Sequence, residues 1–139
     1  MDERIWQGWN SGFLIEDEGN NGEHIHDYAD FVRVHPLVVV GIGIRGGSAT
    51  EEYVGKFEEW ESAYLAKGIR LGNAYVGRLS RPLCDAMERC GRVDDFYPKT
   101  LFVKRGVAVG VEFGQLTFER LDAMVEKYLL REDAVFSEL

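Results

Sequence analysis

Two cysteines, Cys84 and Cys90, are the only thiols in the chain. Six residues apart on one helix, they sit about 9 Å apart along the axis at ~1.5 Å rise per residue, and their directions differ by about 120°. A disulfide needs Cα atoms within about 7 Å, so a shared helix keeps the pair open. Cys90 reads as a small core residue. A second chemical pattern is Gly41-Ile42-Gly43-Ile44-Arg45-Gly46, a G-x-G-x-x-G after an apolar run and before a helix. Such glycines let backbone amides approach a pyrophosphate at a helix N-terminus. The acidic residue that should end the next strand and hold a ribose is missing, because that strand ends Tyr75-Val76-Gly77-Arg78. His24, His26 and Asp27 gather at a helix start. Alternate helical positions splay two imidazoles by about 200°, so they do not share a metal. The carboxylates Glu51, Glu52, Glu58, Glu59 and Glu61 form a solvated helix face rather than an acid–base pair. No catalytic residue, cofactor-binding residue or metal ligand is assigned, and no cofactor is expected.

The elements that carry these residues follow from composition and periodicity. A chain of 139 residues, 45% hydrophobic and 29% charged, suits one globular core. A net charge of −8 disfavours nucleic acid and anionic membranes, both of which need clustered positive charge. No apolar run approaches the roughly 20 residues that span a bilayer, so no membrane insertion is expected. The acidic start Met1-Asp2-Glu3-Arg4 reads as neither a secretory signal nor a transit peptide. Two cysteines fit a reducing intracellular compartment, the cytoplasm first, or an organelle if a presequence was removed.

Residues 1–12 form an arm bearing Trp6 and Trp9, which are costly to leave in water and should dock on the domain or a partner. A short strand is expected at 13–15, then an acidic loop and a helix over 23–34 with Ile25, Tyr28, Ala29 and Val32 on one face. His35-Pro36 ends it. The run Leu-Val-Val-Val-Gly-Ile-Gly-Ile at 37–44 is a central strand covered on both faces. Ser48-Ala49-Thr50-Glu51 matches a capping box opening a helix to about Lys67, with Tyr53, Phe57, Trp60 and Tyr64 as its stripe. Gly68 stops it, and a strand follows over 69–76. Ser80 and Pro82 open a helix that buries Leu83, Met87 and Cys90 and closes at Gly91. Pro98 starts the next strand, since proline donates nothing to a ladder. A turn at Arg105-Gly106 leads to a strand over 107–113, and Thr117 caps a final amphipathic helix to Leu130. Residues 131–139 are an acidic tail. The order is β-α-β-α-β-α-β-β-α, an α/β fold with a mixed central sheet between two helical layers.

This order, with the run Tyr97-Pro98-Lys99-Thr100-Leu101-Phe102-Val103-Lys104-Arg105-Gly106, resembles the thioredoxin superfamily over 13–130. The resemblance implies a thioredoxin-like three-layer α/β/α domain and a cis peptide before Pro98 facing the active-site loop. It also implies a pair of cysteines, two residues apart, at the start of the helix after the central strand. That position is Ser48-Ala49-Thr50-Glu51, where no sulfur stands. Dithiol exchange requires an attacking thiolate and a resolving thiol, which a serine hydroxyl cannot replace. The chain therefore resembles redox-inactive members such as the non-catalytic domains of protein disulfide isomerases. The expectation is a protein-binding or scaffold subunit, or an assembly factor, rather than an enzyme. The resemblance implies a peptide groove lined by Tyr97, Pro98, Arg45 and Ser48, with Trp6 and Trp9 as a competing contact surface. One alternative is a chaperone similar to the acidic thioredoxin-like proteins of hydrogenase maturation. Another is a nucleotide- or thiol-binding enzyme using the 41–46 loop.

Overall fold

The computed structural model describes residues 28–44, 47–75, 81–91 and 97–131. The arm with Trp6 and Trp9, the strand expected at 13–15, the helix start at 23–27, Ser80 and the tail beyond 131 lie outside the described residues. The described elements are α1 (Tyr28–Val34), β1 (Leu37–Gly43), α2 (Ser48–Leu65) and β2 (Ile69–Tyr75), then α3 (Arg81–Arg89), β3 (Lys99–Lys104), β4 (Val107–Phe113) and α4 (Phe118–Val125). A single π-helical turn, Glu126–Leu130, extends α4.

The described strands form one mixed sheet in the order β2-β1-β3-β4. β1 and β2 run parallel and are joined through α2, while β3 lies antiparallel to both β1 and β4. Alternation along β1 sends its side chains to opposite faces. Val38, Val40 and Ile42 meet Tyr28 and Phe31 of α1 and Leu83 and Met87 of α3. Val39 meets Tyr53, Phe57 and Tyr64 of α2 and Leu121, Val125 and Leu129 of the C-terminal helix. The uninterrupted apolar run in β1 is thus a strand roofed on both sides. Full burial of each such side chain contributes about 1.5–3 kcal/mol, so these two faces carry the stability of the domain.

Helix ends follow the sequence with three corrections. Gly68 and Gly91 sit at φ 77° and 78°, where a Cβ would be strained, and each follows a helix end closely. α2 itself ends at Leu65 rather than near Lys67, because Lys67 and Gly68 close tight turns onto Tyr64 and Leu65. α3 likewise ends at Arg89, leaving Cys90 in the following turn. At the start of α2 the capping residue is Gly47, and the Ser48 capping box does not form. Ser48 is already helical, and the side chain that ties down this end is Thr50, turned back onto β1.

α4 is capped as expected, with Thr117 Oγ1 accepting from the Arg120 amide at 3.1 Å. The periodic pattern that runs to Leu130 conceals a wider last turn, where the Arg131 amide donates to the Glu126 carbonyl at 2.8 Å. A π turn fits one extra residue into the coil. Here it carries the Tyr128 ring over Gly110 while Leu129 still reaches the core.

Candidate functional site

The register of β1 and β3 assembles the candidate site. Ile42 faces Lys99 and Gly41 faces Thr100, so the start of β3 lies beside the end of β1, from which the chain enters α2. Tyr97-Pro98 and the first turn of α2 therefore share one end of the sheet. The Tyr97–Pro98 peptide is cis. Pro98 is buried and Tyr97 half-buried, and the Pro98 carbonyl accepts from the Gly114 amide at 2.7 Å. On the helix side Ser48, Ala49 and Glu51 are exposed and Thr50 is buried. Arg45, Trp6 and Trp9 lie outside the described residues.

Thr50 fixes the junction between strand and helix. Its Oγ1 accepts from the Ile44 amide at 2.9 Å, and its side chain occupies the space that a Cβ on Gly43 would fill. A Cβ on Gly41 would collide with Asn73 Oδ1, its register neighbour on β2, and press on the Phe57 ring. The two strand glycines of the G-x-G-x-x-G pattern are thus accounted for by packing. Both glycines belong to β1 and pair in register with β2, Gly41 with Asn73 and Gly43 with Tyr75.

Beneath this end of the sheet lies a polar pair. Tyr53 Oη and Thr100 Oγ1 are 2.7 Å apart in the buried layer under α2. Burial pushes the Tyr53 phenol up to about 12, against hydrogen bonds from Thr100 and the Leu116 backbone that pull it down. On the other face, Lys99 is fully buried, its Nζ 3.7 Å from the centre of the Tyr97 ring and 6.0 Å from that of Phe113. A cation over an aromatic face is attracted by its quadrupole, so Lys99 anchors the residue preceding the proline. Lys99 was missed in the sequence, where charge argues for exposure. The available signal was its position, in alternation with the core residues Leu101 and Val103.

The thiols stand apart from this site. Cys84 and Cys90 form no disulfide, are half-buried and are carried by α3 and the turn after it. Burial holds the Cys90 thiol above its ordinary range, partly offset by Arg89. Among the described residues no group of three or more His, Cys, Asp and Glu side chains could hold a metal ion. No described helix is long and apolar enough to cross a membrane.

No protein-family model matches the chain, and no curated relative does. Solved structures do. A Halobacterium salinarum NRC-1 thioredoxin mutant aligns over 86% of this chain and 93% of its own at 12% identity, with a TM-score of 0.58. Fasciola hepatica thioredoxin aligns over 84% and 98% at 14% identity, TM-score 0.55. Mitochondrial thioredoxin 3 from Saccharomyces cerevisiae aligns over 72% and 86% at 13% identity, TM-score 0.54. The fold is thioredoxin-like. In this thioredoxin-like chain the first turn of α2, where the sequence resemblance puts a dithiol, presents hydroxyls and a methyl group: Ser48, Ala49 and Thr50. Thr50 is committed to the strand junction, which leaves Ser48 as the exposed hydroxyl.

Proposed function

We propose that this thioredoxin-like chain is non-catalytic and acts by binding protein, as a scaffold subunit or an assembly factor of a larger complex. The observation that carries the reading is the first turn of α2. It offers no sulfur beside the cis-proline loop, and the two thiols of the chain ride on the α3 segment instead. A hydroxyl cannot form the mixed disulfide through which dithiol exchange proceeds. The contact surface on this reading is Tyr97, Pro98, Arg45 and Ser48. Of the two described residues of the proline loop, Tyr97 has the accessible surface, held in place by Lys99. Affinity purification of the intact chain followed by mass spectrometry tests the reading. A stoichiometric protein partner, lost on Tyr97→Ala and Ser48→Glu, supports it. Catalytic reduction of insulin disulfides by the purified protein overturns it.

The nucleotide-binding alternative loses its main support, because Gly41 and Gly43 are spent on contacts with Asn73 and Thr50. Equilibrium dialysis against NAD, NADP and glutathione should show no binding. The resemblance to hydrogenase-maturation chaperones falls within the proposed assembly-factor class, and a hydrogenase subunit among the captured partners would single it out.

A further inference from the structure

A second concave surface among the described residues lies away from the proline loop. A groove of about 890 Å³ runs between α1, α3 and the tip of the β3–β4 hairpin. It opens at the end of the sheet where Leu37 pairs with Lys104, five register steps from the Ile42–Lys99 pair, or roughly 16 Å along the strands. Its floor is apolar and buried, built from Val32, Ala86 and Ala108. At the lip Val34 and Val107 are 40% and 44% exposed. Around the rim stand Arg33, Arg89 and Arg105, with Asp85 as the only carboxylate among the lining residues. The lining is therefore net positive in a chain of net charge −8.

Arg105 adds a second observation. It is the only non-glycine residue among the described positions with positive φ, at 51°. The two-residue turn Arg105-Gly106 favours Asn, Asp or Gly at its first position, and a left-handed arginine costs about 1 kcal/mol or more. The Arg105 amide donates to the Pro36 carbonyl at 2.6 Å, which clamps the hairpin tip to the α1–β1 connection and to the edge of the groove. A residue kept in an unfavourable conformation against a cheaper glycine points to a use for its side chain.

We infer that this groove binds an acidic, amphipathic segment of a partner protein. The segment's apolar side chains fill the floor between α1 and α3, and its carboxylates meet Arg89 and Arg105. The occupant follows from charge complementarity: an apolar trough with a cationic rim selects a chain that alternates apolar and acidic residues. At physiological ionic strength the Debye length is about 8 Å, so distant negative charge on the domain is screened while contacts at the rim are not. This surface is separate from the proline loop, and either can fail without the other.

The test uses the full chain and a fluorescein-labelled dodecapeptide of three Glu-Glu-Leu-Phe repeats, followed by fluorescence anisotropy. The comparison peptides replace every Glu by Gln, or every Leu and Phe by Ser. Saturable binding of the first peptide, at least tenfold tighter than either comparison, is expected. Arg89→Glu and Arg105→Gly should each weaken it severalfold. Arg105→Gly suits the backbone at that position, so its loss of binding cannot be ascribed to misfolding. Equal binding of the Gln peptide, no saturable binding, or binding indifferent to both substitutions overturns the inference. So does a dimer in sedimentation velocity that both substitutions dissociate, since the occupant is then a second copy of the chain.

Discussion

Tyr128 lies against the bare backbone of Gly110, its ring filling the space in which any other residue would carry a Cβ. The tyrosine hydroxyl donates to Glu112 Oε2 at 2.9 Å, and the ring sits 5.0 Å from that of Phe102. One side chain therefore joins the π turn that extends α4 to β4 and to β3. Gly110→Ala should cost about 1–3 kcal/mol in urea unfolding, as overpacking does in a filled core. Adding Tyr128→Leu to Gly110→Ala should restore part of the loss, and strict additivity would show that the two residues do not interact.

Thr50 should prove more important to the α2 junction than Ser48. Thr50→Val keeps the shape beside Gly43 but removes the acceptor for the Ile44 amide, and should cost about 1–2 kcal/mol. Ser48→Ala touches no cap and should change stability by less than about 0.5 kcal/mol. Chemical denaturation of both variants checks the ordering.

His35 gives stability a pH dependence. It is half-buried, edge-on to Phe31 at 5.0 Å, and burial with the nearby Arg70 lowers it from 6.5 to about 4. Between those values the unfolded chain binds a proton that the folded chain refuses. The contribution is present in full above pH 6.5 and is lost as pH falls toward 4. Solvent screening at a half-exposed ring limits it to about 1–2 kcal/mol. Between pH 7 and pH 5, denaturation should show wild type losing stability relative to His35→Leu, which lacks the titrating ring.

Both thiols should titrate with a chromogenic disulfide reagent under native conditions after air oxidation, since the two cysteines are not joined in a disulfide. In Cys84→Ser, the remaining Cys90 should react at pH 8 more slowly than a free cysteine, because burial raises its pKa and reduces its thiolate. Recovery of less than one thiol per chain from the oxidised single variants would point to intermolecular bridges.

The strands and the helix faces were legible in the sequence for a common reason. The run at 37–44 reads as a two-faced central strand, observed over Leu37–Gly43, and Phe118, Leu121 and Val125 read as a helix face, because alternation and three-four spacing are local patterns. The β3–β4 hairpin was legible from Pro98 and Arg105-Gly106, which punctuate the chain. What escaped depends on pairs distant in sequence. Nothing near Gly110 signals the ring of Tyr128, and nothing near Gly43 shows that Thr50 fills its space. Ser48-x-x-Glu51 satisfied a local capping pattern, yet Thr50 reached β1 and Gly47 took the cap. Lys99 was hidden by its charge, since lysines are rarely fully buried. The site followed the same division: the proline loop and the missing dithiol were visible, whereas the groove between α1 and α3 exists only once three separated segments converge.

β4 is an edge of the described sheet, with Val107 and Val109 exposed along a strand that has neither proline nor lysine to discourage a neighbour. Mutual repulsion between copies carrying eight excess negative charges protects that edge in dilute buffer. Salt removes this protection. For anyone handling the protein, high ionic strength at high concentration is therefore the condition that favours edge-to-edge association, and low salt the one that keeps the copies apart.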